Sequence, residues 1–231
     1  MRLRPLVPGG RGRGRGRGPG RGRAPALSGL VPLFPLPNVV LFPGAAMPLH
    51  VFEPRYRKMV EDALGSRRSI GIVLLKPGYE QDYQGRPPIY PIGCSGTIVE
   101  DERLDDGRHN ILLLGQSRFR VLEEQDGEPY RLAAVEELPD LVGDTASLDP
   151  LRDRVLAALG RLTDGSAVVQ LEGDVPSAVL VNGLSQGLDL PPIEKLSLLG
   201  CETLVERATK LLDILEFHAL ERSSGRTGAP N

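Results

Sequence analysis

The chain is poor in the residues on which several functions depend. It has no tryptophan, and only 4% of its 231 residues are aromatic. Proteins that bind single-stranded nucleic acid stack the bases on aromatic side chains, so a platform of that kind is disfavoured. No apolar run approaches the roughly 20 residues that a membrane-spanning helix needs, so the sequence predicts no membrane association.

Cysteine and histidine are also scarce, with two and three residues. Cys94 and Cys201 are far apart, and no apolar segment of a secretion signal precedes them. We therefore expect two packed thiols in a reducing, cytoplasmic protein. The three histidines lack a second His or Cys at ligand spacing, which predicts no metal site.

The motifs of the common catalytic classes are missing as well. The sequence has no G-x-x-x-x-G-K-[ST] loop for a triphosphate, no G-x-S-x-G elbow and no H-E-x-x-H. Cys94 has no base beside it, and the acidic residues at 100–106 lack the spacing of a calcium loop. We predict a protein that is not an enzyme and has no catalytic residue and no cofactor.

Charge is distributed unevenly. The net charge is -2, but residues 1–23 contain eight arginines and no acid, which leaves 20 basic and 30 acidic residues elsewhere. The Arg/Gly-rich segment has little to bury, so residues 1–29 are predicted to be a disordered tail. It is either a nucleic-acid-binding arm or a dispensable extension. Because an acidic body opposes binding to phosphates, nucleic acid is a partner only through this tail.

The first half of the body alternates short apolar runs with Pro- and Gly-rich turns, which predicts strands. One segment differs. From Pro54, apolar residues recur at helical spacing until Gly65, which predicts an amphipathic helix. Residues 30–138 are therefore predicted to form a β-rich barrel or half-barrel with one helix. The predicted strands cover residues 31–34, 39–42, 48–52, 69–76, 92–99, 110–114, 119–123 and 130–136.

Past Pro139 the apolar spacing is helical. Four helices are predicted, within residues 151–162, 175–188, 191–199 and 202–222. None can bury its apolar face alone, so residues 139–222 are expected to form a small bundle docked on the strands, followed by a disordered C-terminus at 223–231. The fold class is α+β.

Residues 35–56, P-L-P-N-V-V-L-F-P-G-A-A-M-P-L-H-V-F-E-P-R-Y, closely resemble the opening of the Lon N-terminal domain family. The resemblance extends through the strand at 70–75, residues 90–98 and L-G-Q-S-R-F-R-V at 114–121, which is similar to that family's glycine-then-arginine hairpin. It implies a PUA-like β-barrel of about six strands with one helix, then a bundle of about four helices. This family recognises substrates at the front of Lon proteases and also occurs as a free-standing bacterial protein.

The ATPase and Ser-Lys peptidase parts of full-length Lon are absent from the sequence, so the resemblance implies binding without proteolysis. The implied partners are unfolded or peptide-like protein segments and a separate ATP-dependent protease. The alternative function is an RNA-associated PUA-like protein that uses its Arg/Gly tail.

Three groups of residues in the opening motif are singled out, two as structural and one as a candidate for binding. Pro43 and Gly44 are expected to form a tight turn. Glu53, Arg55 and Tyr56 are expected to fix the corner from strand to helix, with direct ligand contact as the alternative. Four apolar residues around the turn are predicted either to form an exposed protein-binding patch or to complete the core. They are Phe42, Ala45, Ala46 and Met47.

Overall fold

The computed structural model describes residues 29–83, 85–125, 129–162 and 175–226. The predicted tail lies outside the described residues except for Gly29. The elements are β1 (Leu30–Leu36), β2 (Ala46–Val51), α1 (Pro54–Leu64), β3 (Ser69–Leu75), β4 (Ile89–Arg103), β5 (His109–Gln125), β6 (Arg131–Leu138), α2 (Thr145–Leu162), α3 (Ser177–Gly187), α4 (Pro192–Leu199) and α5 (Leu204–Arg226).

The six strands form one sheet in the order β2-β5-β4-β3-β1-β6. β5 also pairs with β6, so β5, β4, β3, β1 and β6 are paired in a closed cycle. β2 pairs with residues 109–114 of β5, whereas β6 pairs with residues 118–125. β5 is long enough for β2 and β6 to pair with successive parts of one of its edges, while β4 pairs with its other edge.

The strands and the helices share one hydrophobic core. A single cluster of buried residues contains Phe42 and Ile72 from the first half together with Val155, Leu198 and Leu215 from the helices. α5 contacts α2, α3 and α4. The helices after Pro139 therefore do not pack only on one another, because their apolar faces also complete the core beside the sheet.

The structure differs from the predicted strands in two places. Residues 39–42 form no strand, although Val40, Leu41 and Phe42 are buried. Pro37 and Pro43 flank this segment, and the backbone N–H of Phe42 donates to Gln186 Oε1 at 3.0 Å instead of joining a ladder. The side chain of Gln186 in α3 therefore accepts the hydrogen bond that a neighbouring strand was expected to accept.

The second difference concerns residues 110–123, predicted as two strands with a hairpin at Gly115. They belong to the continuous strand β5. Gly115 donates to Ala45 O at 2.9 Å and accepts from Gly44 N at 2.9 Å. The glycine is needed for this close approach to the segment before β2, because a Cβ at this position would collide with the carbonyl oxygen of Phe42.

We expect Gly115→Ala to lower the free energy of unfolding by about 2 kcal/mol or more, because backbone atoms would have to move. Urea unfolding followed by circular dichroism measures this. Gly183→Ala in α3 is the matched control, because no atom lies within 4 Å of a Cβ there. The control should gain about 0.5 to 1 kcal/mol from helix propensity. Equal stability of the two variants would contradict the close approach.

The helical half matches the predicted number of helices, with two shifted boundaries. α2 begins at Thr145, earlier than the predicted residue 151. α5 continues to Arg226, so residues 223–226 are helical and not part of a disordered C-terminus as predicted. The structure describes no helix with the length and apolar character needed to cross a membrane.

Candidate functional site

The turn predicted at Pro43 and Gly44 is present. Gly44 has a φ of +76°, a backbone conformation that glycine adopts readily. The N–H of Ala45 donates to Phe42 O at 3.1 Å across the turn, and β2 begins immediately afterwards. The turn thus directs the chain from a buried irregular segment into the strand.

The four residues of the predicted patch do not share one environment. Phe42, Ala45 and Met47 are buried, with 0%, 9% and 7% of their surfaces exposed, whereas Ala46 is exposed. The alternative in which these residues complete the core is therefore the one that the structure shows for three of them. The prediction of an exposed patch formed by all four residues is wrong, because Phe42 and Met47 belong to the buried hydrophobic cluster.

The exposed part of this region is the outer edge of β2, which we call the β2 edge (residues 46–51). Within the described sheet, β2 pairs with β5 alone. Gly115 N donates to Ala45 O, so in the alternating antiparallel ladder the backbone groups of Ala46, Pro48 and His50 point away from β5. Pro48 fits this arrangement, since it has no N–H to contribute on the open side.

α3 covers one end of the β2 edge. Gln186 Nε2 donates to Ala46 O at 2.9 Å, and Asn182 Nδ2 donates to Pro43 O at 3.1 Å. The first contact also confirms the outward direction of the Ala46 carbonyl. The Pro48 carbonyl and both backbone groups of His50 lie beyond this contact, further along the edge.

The face of the sheet next to the β2 edge is partly apolar. Ala46 and Pro48 are exposed, and their partners in register on β5, Leu114 and Leu112, are half-buried. Phe52 follows β2 with 59% of its surface exposed. This arrangement places apolar side chains beside outward-pointing backbone groups, which are the two features that an added strand uses.

Glu53, Arg55 and Tyr56 lie at the corner between β2 and α1, as predicted. Glu53 is the N-cap residue, but its side chain does not cap the helix. The carboxylate instead pairs with Arg55 at 3.1 Å and accepts a 2.6 Å hydrogen bond from the Tyr83 hydroxyl. Burial, together with this hydrogen bond, raises the pKa of Tyr83 to about 12.

Arg55 also holds the loop that follows β3. Its NH2 group donates to Tyr83 O at 2.9 Å, and its guanidinium lies 4.7 Å from the centre of the Tyr56 ring. Tyr83, in the segment after β3, is thus attached to α1. The corner residues connect three segments of the chain, which agrees with a structural role for them.

A second polar cluster joins the sheet to the helices. Asp140 lies between two guanidinium groups, with Oδ1 3.0 Å from Arg118 Nε and 2.7 Å from Arg207 NH2. The Arg118 N–H is poorly aligned for a hydrogen bond at this distance, so that contact is an ion pair only. The side chains of Arg118 and Arg207 are 2% and 0% exposed.

Backbone carbonyls complete this cluster. Arg118 donates to Leu199 O at 3.0 Å and to Pro139 O at 2.7 Å, and Arg207 donates to Leu198 O at 3.0 Å. Burial alone would raise the pKa of Asp140, but the hydrogen bonds from Arg207 and the charges of Arg207 and Arg118 outweigh it and lower that pKa. Asp140 therefore stays ionised and compensates two buried cations.

Both cysteines are buried. Cys94 is buried in β4, as predicted, and burial raises the pKa of its thiol to about 12. At neutral pH this thiol is protonated and a poor nucleophile. Within the described part of the chain, no three His, Cys, Asp or Glu side chains are grouped so as to hold a metal ion.

Sequence reasoning missed the Asp140 cluster, although a signal was present. Arg207 falls on the apolar stripe of α5 between Leu204 and Leu211, and a charged residue at such a position needs a buried partner. The β2 edge had no comparable signal, because which strands pair is a non-local property.

The family model of the ATP-dependent protease La (LON) substrate-binding domain matches residues 30–216. The chain belongs to this family. The match covers all six strands and ends within α5, so the β2 edge, the α1 corner and the Asp140 cluster all lie inside the Lon-type domain.

Full-length relatives are much longer than this chain. A Lon protease of Flavobacterium johnsoniae is 27% identical over 190 residues, which are 79% of this chain and 23% of the relative. Lon protease 2 of Sorangium cellulosum is 34% identical over 130 residues, which are 56% of this chain and 15% of the relative. The chain thus spans less than a quarter of these relatives, and only their substrate-binding part is matched.

Solved structures of similar domains cover nearly the whole described region. The Lon N-terminal domain protein from Xanthomonas campestris has a TM-score of 0.55 and 25% identity, covering 80% of this chain and 98% of that one. The N-terminal domain of a Mycobacterium avium complex Lon protease has a TM-score of 0.61 and 20% identity, covering 82% and 100%. The second similarity concerns the fold alone.

Proposed function

We propose that this Lon-type domain is a non-catalytic protein-binding module that takes up extended polypeptide segments along the β2 edge. The open edge is the observation that carries the proposal. The Pro48 carbonyl and the N–H and carbonyl of His50 point away from β5, where the backbone of an added strand would pair with them. Main-chain pairing recognises the extended conformation and not a particular sequence, which suits a receptor for varied clients.

The apolar face beside the edge supplies the second part of the interaction. Alternate side chains of an added strand would lie over Pro48 and Leu112 or beside the exposed ring of Phe52. Burying apolar surface contributes about 25 cal/mol per Å² removed from water. This is why we propose clients with exposed apolar side chains, such as unfolded proteins.

We propose that the closed cycle of strands is a PUA-like barrel and that the four following helices form its docked bundle. Because the relatives are proteases, we place the binding of clients in proteolysis, with a separate ATP-dependent protease as partner. The corner residues Glu53, Arg55 and Tyr56 are proposed to act on the fold and not on the client.

Fluorescence anisotropy of a labelled, permanently unfolded model protein tests the function. We expect saturable binding, at least tenfold weakened by His50→Pro, because proline removes the N–H at the centre of the open edge while the β5 ladder is unaffected. His50→Ala is the matched control, since it removes the same side-chain contacts, to Asn110 and Arg108, and keeps the N–H.

A second measurement guards against a misfolded variant. Hydrogen exchange of the His50 amide in the unaltered protein should slow when the unfolded protein is added, and a short client peptide methylated at alternate backbone nitrogens should lose both binding and this protection. Equal affinity of His50→Pro and His50→Ala, with unchanged exchange at His50, would overturn the proposed surface. No saturable binding by the parent would overturn the function.

A further inference from the structure

The side-chain amide of Gln186 occupies a hydrogen-bonding position of the β2 edge. Its Nε2 donates to Ala46 O at 2.9 Å, and its Oε1 accepts from the N–H of Phe42 at 3.0 Å. An amide side chain has a donor and an acceptor, as a peptide group does, so Gln186 makes both kinds of hydrogen bond that a neighbouring strand makes. Gln186 is half-buried and Ala46 is exposed, so the two residues meet at the surface of the protein.

Further hydrogen bonds hold α3 at this position. Asn182, one helical turn before Gln186, donates to Pro43 O at 3.1 Å, and its own Oδ1 accepts from Arg207. Lys195 Nζ donates to Gln186 O at 2.7 Å. Asn182 is only 4% exposed, so breaking its hydrogen bonds would leave buried polar groups without partners. Gln186 therefore projects from a helix that is fixed against the turn before β2.

Pro48 interrupts the edge at the next outward position. The carbonyl of Ala46 is engaged by Gln186, and Pro48 has no N–H. The client carbonyl that would pair at Pro48 therefore finds no donor, whichever direction the client strand runs. Two independent features thus oppose pairing at the same end of the β2 edge, whereas His50 offers both an N–H and a carbonyl.

We infer that Gln186 limits the length of the client segment that pairs with the β2 edge, because its side chain ends the pairing at Pro48. The inference rests on the proposed function and adds a specificity-determining residue to it. A client needs only a short extended stretch opposite Pro48 and His50, followed by a turn or by the end of its chain. Longer strands gain nothing from their additional residues, which also restricts edge-to-edge association with other sheets.

A series of client peptides tests this inference on the full chain. The peptides share one extended apolar sequence and are lengthened by two residues at a time, at either end, and their affinities are measured by fluorescence anisotropy. For the parent, we expect the affinity to rise with length and then to level off. For Gln186→Ala, the next two residues should raise the affinity a further threefold to tenfold or so, because the N–H and the carbonyl of Ala46 become available for pairing.

Hydrogen exchange shows where the pairing ends. Ala46 and His50 carry the outward N–H groups of the β2 edge, since Pro48 has none. With the parent, the longest peptide should slow the exchange of His50 alone, whereas with Gln186→Ala it should slow the exchange of both amides. Gln186→Glu should behave like Gln186→Ala, because a glutamate keeps an acceptor for the Phe42 N–H but has no donor for the Ala46 carbonyl.

Gln81→Ala is the matched control, because Gln81 is an exposed glutamine in the segment after β3 and its replacement should leave the length limit of the parent unchanged. If the affinity of the parent kept rising with length, or if both Gln186 variants kept the limit of the parent, the inference would be overturned while the proposed function stood. Binding of an unfolded protein but of none of the peptides would also overturn only the inference. A parent that binds neither the peptides nor an unfolded protein overturns the proposed function.

Discussion

Asp140→Asn should lower the free energy of unfolding by about 3 kcal/mol, the lower end of the range for breaking a buried ion pair. The lower end applies because the Asp140 side chain is 27% exposed, whereas its partners Arg118 and Arg207 are almost wholly buried. Asparagine keeps the shape of the side chain but leaves two guanidinium groups without a counter-charge. Urea unfolding followed by circular dichroism measures the change, since the chain has no tryptophan for fluorescence.

Asp153→Asn is the matched control for this experiment. Asp153 is exposed on α2, so its replacement should change stability by no more than about 0.5 kcal/mol. If Asp140→Asn and Asp153→Asn unfolded at the same urea concentration, the cluster would contribute little to the fold.

The second large effect is expected for Phe42→Ala, with a loss of about 3 to 5 kcal/mol. Phe42 has none of its surface exposed and belongs to the core shared by sheet and helices, so truncation creates a cavity between them. The guanidinium of Arg207 also lies 5.9 Å from the centre of its ring. Thermal and urea unfolding of the variant measure the loss.

Phe52→Ala provides the comparison, because Phe52 is 59% exposed at the end of β2. We expect its stability to remain within about 0.5 kcal/mol of the parent, while its affinity for an unfolded protein falls. Comparing Phe42→Ala with Phe52→Ala thus compares a phenylalanine in the core with a phenylalanine on the surface. If Phe42→Ala were as stable as the parent but bound the client less tightly, Phe42 would belong to the binding surface and not to the core.

Local patterns in the sequence predicted most of the elements. The helix from Pro54 to Gly65 was specified by its spacing and by both of its ends, and α1 covers Pro54–Leu64. The four later helices were predicted from apolar stripes in the same way. These features depend on neighbours three or four residues apart, and such neighbours are visible in a sequence.

The errors arose where distant parts of the chain decide the structure. Residues 39–42 have the composition of a strand, but Gln186, 144 residues away from Phe42, accepts the hydrogen bond of the Phe42 backbone. The resemblance placed Gly115 in a hairpin, whereas it lies within β5 and allows the chain before β2 to approach that strand. For the same reason the sequence could not decide whether the residues around the turn form an exposed patch or complete the core. Their apolar character was evident, but the helices that bury Phe42 are more than a hundred residues further along.

The cycle of paired strands has a consequence for the newly made protein. Leu30 in β1 lies opposite Ala134 in β6, so about 100 residues must be synthesised before this pair can form, and the entropy of closing such a loop opposes it. Chains whose pairings are this distant in sequence fold in milliseconds to seconds. During that time Val31 and Leu33, which are buried in the finished sheet, stand on a strand that lacks its β6 partner. Each nascent copy is thus briefly an exposed extended polypeptide, and a finished copy nearby is proposed to bind that kind of chain.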